Sequence, residues 1–136
     1  MTMTMTAIEQ DFYKKTAAQV RLSADGLERF RVFTPFLFDD GDHLAIVLKK
    51  EGSRWVFSDE AHTYMHLAYD IDEKDLRSGT RKKIIDNTLS TFHLEDRDGE
   101  LLLGVSDDRY GDALDSFIQA LLKIYYDVTY LSQQRV

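Results

Sequence analysis

The 136-residue chain contains no cysteine. That excludes disulfides, thiolate nucleophiles and cysteine-ligated metals, and it fits a reducing compartment. Proline occurs once, at Pro35, where the missing N–H predicts a strand end, a bulge or an edge. The seven glycines are scattered at turns and form no loop that could cradle a phosphate. Positive charge is scarce: 17 Lys and Arg stand against 24 Asp and Glu, for a net charge of −7 and a pI of about 5.0. A general binder of the phosphate backbone needs a positive face. Direct nucleic-acid binding is therefore not expected, whereas a partner that is itself basic is admitted. No apolar run approaches the roughly 20 residues of a membrane span. The opening MTMTMTAIEQDF lacks the basic-then-apolar order of a secretory signal.

What is present suits one folded domain. Hydrophobic residues make up 43% and charged residues 30%, a balance that favours a packed core over disorder. Residues 1–6 read as a flexible lead-in and 7–136 as a single domain. Ile8, Phe12, Ala17 (or Thr16) and Val20 recur at helical spacing, predicting a helix over 7–24 ended by Asp25-Gly26. RFRVFTPFLF, HLAIVLKK and RWVFSD are rich in β-branched and aromatic residues and predict a three-stranded antiparallel meander. Ser58-Asp59-Glu60 offers a cap for a short helix over 60–69. DIDEKDLRSGT is polar enough for a loop. Thr80 could cap a helix over 81–92, with Ile84, Ile85, Thr88 and Leu89 inward. Asp98-Gly99 predicts a tight hairpin. Leu114, Phe117, Ile118, Leu121, Leu122, Tyr125, Val128 and Leu131 then stripe one long helix over 110–132. The expected fold is α+β: an antiparallel sheet of about five strands, meander plus hairpin, covered by N-terminal, central and long C-terminal helices.

Chemistry-bearing patterns are sparse. His62 and His66 lie four apart on a predicted helix and would share a face, but the glutamate that a zinc protease needs beside the first histidine is replaced by Thr63. Glu60 or His43 could approach as a further ligand. Asp96 to Gly99 starts like a calcium loop, but LLLGV then follows, a strand-like run. Ser58, Asp59 and His62 lack a readable nucleophile elbow or oxyanion hole, so no catalytic residue, metal or cofactor is assigned. Arg77, Arg81, Lys82 and Lys83 form one basic patch that could pair with Asp72, Glu73 and Asp75.

The acids themselves are clustered, and many serve local structure: Asp98 at a hairpin, Asp59 at a cap, Asp107 and Asp108 before the last helix. Local structure explains least the Asp39, Asp40, Asp42 turn and the Asp70, Asp72, Glu73, Asp75 segment. Those seven carboxylates are the expected partner-binding residues.

FTPFLFDDGDHLAIVLKKEGSRWVFSDEAHTYMHL resembles a family of short bacterial and phage proteins known only as a domain of unknown function. The matching positions are Thr34, Pro35, Phe36, Gly41, Asp42, Ser58, Asp59, Thr63, Leu67 and Arg81. Glu60-Ala61 stands where that family often has a glycine. The resemblance extends over about 29–131 and implies a bacterial or phage origin, hence a bacterial cytoplasm. Small acidic phage proteins without catalytic residues also look like anti-CRISPR proteins that imitate DNA. The leading expectation is a non-enzymatic inhibitor whose carboxylates engage a basic, nucleic-acid-binding defence complex. Two alternatives stand beside it. One is an acidic chaperone, similar to those of type III secretion, that binds an extended protein segment as a homodimer. The other is a small metal-dependent enzyme centred on Asp59, His62 and His66.

Overall fold

A computed structural model describes residues 4–133. Helix α1 spans Met5–Gln19, with Thr4 Oγ1 accepting the Ala7 amide at its start. Strands β1 (Arg21–Ala24), β2 (Arg29–Phe33), β3 (Ile46–Glu51) and β4 (Arg54–Ser58) follow, then α2 (His62–Leu67), α3 (Glu73–Leu76) and α4 (Gly79–Phe92). The hairpin strands β5 (Glu95–Arg97) and β6 (Glu100–Gly104) and the long α5 (Tyr110–Gln133) complete the chain. All strand pairs are antiparallel, in the order β1-β2-β3-β4-β6-β5. The fold is the expected α+β class.

Several boundaries move. The expected helix over 7–24 starts earlier and stops at Gln19, and its last stretch is an edge strand, so the sheet has six strands and the meander four. Val20 takes an extended conformation (φ −101°, ψ 120°), and Leu22 pairs with Val32. A non-local ladder thus overrides the local helical spacing. Asp25-Gly26 turns β1 into β2, with Gly26 at φ 111°, rather than ending a helix. Met5 and Thr6, expected in the lead-in, belong to α1; Met1 to Met3 lie outside the described residues. The polar 70–80 stretch holds α3, and α4 is preceded by Ser78, not capped at Thr80. Helix α2 is shorter than 60–69. Pro35 falls just beyond β2, and at the Asp98-Gly99 turn both residues have positive φ, as a type I′ hairpin demands.

One face of the sheet is apolar. Val32, Ile46, Leu48, Phe57, Leu101 and Leu103 point to it, and Phe117, Leu121, Ile124 and Val128 of α5 pack with them in one core. Helix α5 lies over β4 and β6, flanked by α2 and α4. The opposite face carries charged ladders, among them Lys49–Glu100 at 2.7 Å and Arg97–Glu51 at 3.0 Å. Helix α1, expected to cover the sheet, instead stands clear of it: every described side chain in α1 is exposed.

Candidate functional site

The Asp39–Asp42 turn is built by backbone and anchored by one aromatic ring. The Phe38 amide donates to the Asp42 carbonyl (2.8 Å) and the Gly41 amide to the Phe38 carbonyl (3.0 Å). Gly41 takes φ 89°, a left-handed conformation that glycine adopts without steric cost. Phe38 is buried, stacked on His66 at 4.1 Å and edge-on to Tyr125 at 4.7 Å. The turn therefore hangs from the core by Phe38 while its carboxylates stay outside.

His66 links this turn to α2. Its side chain is only 4% exposed, and Nδ1 donates to Asp40 Oδ2 at 2.5 Å. Nε2 stands 3.9 Å from Asp42 Oδ2, beyond hydrogen-bonding distance. Asp40 Oδ1 accepts the Asp42 amide at 3.0 Å. That amide, with His66 adding to it, holds the Asp40 carboxyl below its ordinary range despite partial desolvation.

A cleft of about 530 Å³ opens beside this pair, lined by Asp39, Asp40, His66, Tyr69, Asp70, Tyr125 and Thr129 over Leu67 and Ile71. The structure thus brings together members of both acid clusters that local structure explained least: Asp39 and Asp40 from one, Asp70 from the other, with Asp42 on the far edge of His66. No lysine or arginine among the described residues lines the cleft. Among the described residues, none of Asp39, Asp40, Asp42 and Asp70 shares an ion pair with one. Several acids elsewhere are paired: Glu60 with Arg29 (2.6 Å), Asp96 with Arg77 (2.9 Å), Asp86 with Lys82 (2.5 Å). Asp72, Glu73 and Asp75 lie apart from the cleft lining, exposed at the start of α3. Arg77 of the basic patch turns to Asp96 and lies over the Tyr64 ring at 4.2 Å.

Asp59 has a different environment. It is 1% exposed, and its oxygens accept the amides of Ala61 (2.9 Å), Leu101 (2.9 Å) and Thr63 (3.2 Å). It ties the end of β4 to β6 and to the start of α2, across Glu60 and Ala61 at φ 49° and 68°. Burial pushes its carboxyl above the ordinary value, against the pull of those hydrogen bonds. His62 Nδ1 contacts the Asp59 carbonyl at 2.9 Å. Ser58 Oγ donates to Glu100 (2.5 Å) and accepts the Glu60 amide (3.0 Å). Burial pushes Glu100 up, but the Lys49 ammonium and the Ser58 hydroxyl outweigh it and hold the carboxyl low. Both Asp59 oxygens are thereby occupied by backbone N–H groups.

Among the described residues, the donor set that converges is Asp40, Asp42 and His66, with ligand atoms within 4.8 Å of one another. The 2.5 Å Asp40–His66 contact is a direct hydrogen bond. Two ligands each about 2.0–2.2 Å from one ion would stand farther apart than that. The arrangement at hand is a charge-assisted hydrogen bond beside carboxylates that no described lysine or arginine pairs, a surface suited to guanidinium or ammonium groups.

The acid clusters were visible in the sequence, and their convergence was not. His66 entered the sequence reading as a neighbour of His62, yet its partner is Asp40, 26 positions away. Tyr125 was read as part of the core stripe, and Tyr69 and Thr129 carried no signal at all. Of the resemblance positions, Thr34, Ser58, Asp59, Thr63 and Leu67 are buried supports. The model of the domain of unknown function DUF1828 matches residues 34–124. No curated protein and no solved structure gives a match. The chain belongs to the DUF1828 family.

Proposed function

We propose that this DUF1828 protein is a non-enzymatic interaction protein whose acidic cleft receives the Lys and Arg side chains of a basic protein surface. The supporting observation is the gathering of Asp39, Asp40 and Asp70 in one cleft, with Asp42 beside it and, among the described residues, no lysine or arginine in the lining. Uncompensated carboxylates repel one another, and a basic partner relieves that repulsion while gaining charge-assisted hydrogen bonds. The partner class that fits is a nucleic-acid-binding complex, because its Lys/Arg groove is built for a run of anions. The protein then acts as a DNA mimic and inhibitor, in the manner of anti-CRISPR proteins. Association is fast and weakens with salt.

The test is capture from a bacterial host lysate by the wild type and by the Asp39→Asn, Asp40→Asn, Asp42→Asn, Asp70→Asn variant together. The expected result is a nucleic-acid-binding protein retained by the wild type, lost with the variant, and displaced by duplex DNA. A captured partner that the variant retains equally well overturns the reading.

A further inference from the structure

The sheet's apolar face is not fully covered. Helix α5 lies over β4 and β6, and toward β1 and β2 an open groove of about 480 Å³ remains. Its walls include Val20, Leu22, Phe30, Trp55, Tyr110 and Leu114. Helix α1 has the opposite problem: it presents Met5, Phe12 and Tyr13 to solvent at 76%, 63% and 74% exposure and makes no more than marginal contact with any other element. A helix of this length is marginal in water without a surface to pack on. A helix with exposed apolar side chains and a bare apolar groove therefore sit on one chain, unpaired with each other.

The connection explains why they do not pair within the chain. A single residue, Val20, separates α1 from β1, and its extended backbone carries the helix onward without a reversal. Turning a helix back across a sheet takes a connection of several residues. Charge points to the occupant. Residues 5–33 carry five Lys and Arg and four Asp and Glu, a net +1, in a chain of net −7. Two copies can meet through this segment without the repulsion that other surfaces would bring.

We propose that the groove is filled by α1 of a second copy of this chain, the two copies exchanging helices about a two-fold axis. Such an interface is self-complementary and closes at two chains. Each α1 is about 22 Å long. Two reciprocal contacts roughly 10 Å wide, counted on both surfaces, bury on the order of 900 Å², below the roughly 1,200 Å² of stable interfaces and in the range of weak, transient ones. The dimer is accordingly of low affinity and dissociates on dilution. The residues lining this groove and those lining the acidic cleft do not overlap, so the dimer contact is separate from the acidic cleft.

Trp55, the single tryptophan, lines the groove and reports directly on its occupancy. The test measures solution mass by light scattering and Trp55 emission across a dilution series for the wild type and for Phe12→Glu, Leu22→Glu and Tyr130→Glu. All three positions are exposed in the single chain, so their substitution leaves the core intact. The wild type is expected at twice 15.8 kDa, with emission moving to longer wavelength as it dissociates. Phe12→Glu and Leu22→Glu are expected at 15.8 kDa with the long-wavelength emission throughout, and Tyr130→Glu to match the wild type. A wild type that stays monomeric at high concentration overturns the proposal, whether Phe12→Glu shifts Trp55 (its own helix then fills the groove) or does not (a different protein does). A dimer indifferent to Phe12→Glu overturns it as well.

Discussion

Asp59 and the carboxylates of the Asp39–Asp42 and Asp70 cleft are the same chemical group in opposite settings. Asp59 is sealed, with three backbone amides aimed at it; the cleft acids are open and, among the described residues, lack lysine or arginine partners. The difference teaches that an acid's role follows from what donates to it. A carboxylate whose donors are backbone amides in the interior holds the fold, because those amides have no other partner. A carboxylate left without a cationic neighbour at the surface remains available to one from outside.

The comparison predicts where substitution hurts stability. Asp59→Ala strands three amides and should cost about 3 kcal/mol, read as a lower urea midpoint at constant slope. His66→Ala removes a buried ring stacked on Phe38 and should cost about 2 kcal/mol, while loosening the turn that carries the cleft acids. Replacing Asp39, Asp42 and Asp70 by Asn should change stability by no more than about 0.5 kcal/mol in either direction. A large loss there would place those acids with Asp59, as structural groups.

The two settings also differ in the sign of their pH dependence. The Asp40 carboxyl is held below its ordinary value of 3.8, so its contribution is complete above that value and is lost as pH falls through the lowered one. Asp59 is raised above 3.8. Its contribution is largest below 3.8 and declines as pH rises through the raised value. The stability difference between wild type and Asp40→Asn should therefore grow with rising pH at the acid end, and that for Asp59→Asn should shrink. Matching slopes would erase the distinction. The smallest effect belongs to the exposed helical pair Lys82–Asp86, where Lys82→Ala should cost about 0.3 kcal/mol.

Local patterns made much of this fold readable. Runs rich in β-branched and aromatic residues marked β2 to β4, Asp98-Gly99 marked the hairpin, and the stripe from Leu114 to Leu131 marked α5. Strand β1 was hidden because the helical spacing runs on through Val20, and only the pairing of Arg21 with Phe33 and of Leu22 with Val32 makes the next residues a strand. The cleft was half readable. Asp39, Asp40, Asp42 and Asp70 stood out once capping and turn acids were set aside, but Asp72, Glu73 and Asp75 looked equivalent to them. What separates the two groups is α2, which carries His66 to Asp40, and α5, which carries Tyr125 to Phe38. Neither contact has a local signature.

The direct test of the central claim is a titration of isotopically labelled protein with an arginine-rich peptide at two salt concentrations, followed by amide NMR shifts. The account predicts shifts concentrated at Asp39–Asp42, His66 and Asp70, an affinity that falls with salt, and loss of both in the Asp39→Asn, Asp40→Asn, Asp42→Asn, Asp70→Asn variant. Shifts centred on Asp72, Glu73 and Asp75, or peptide binding that the variant retains, would contradict it.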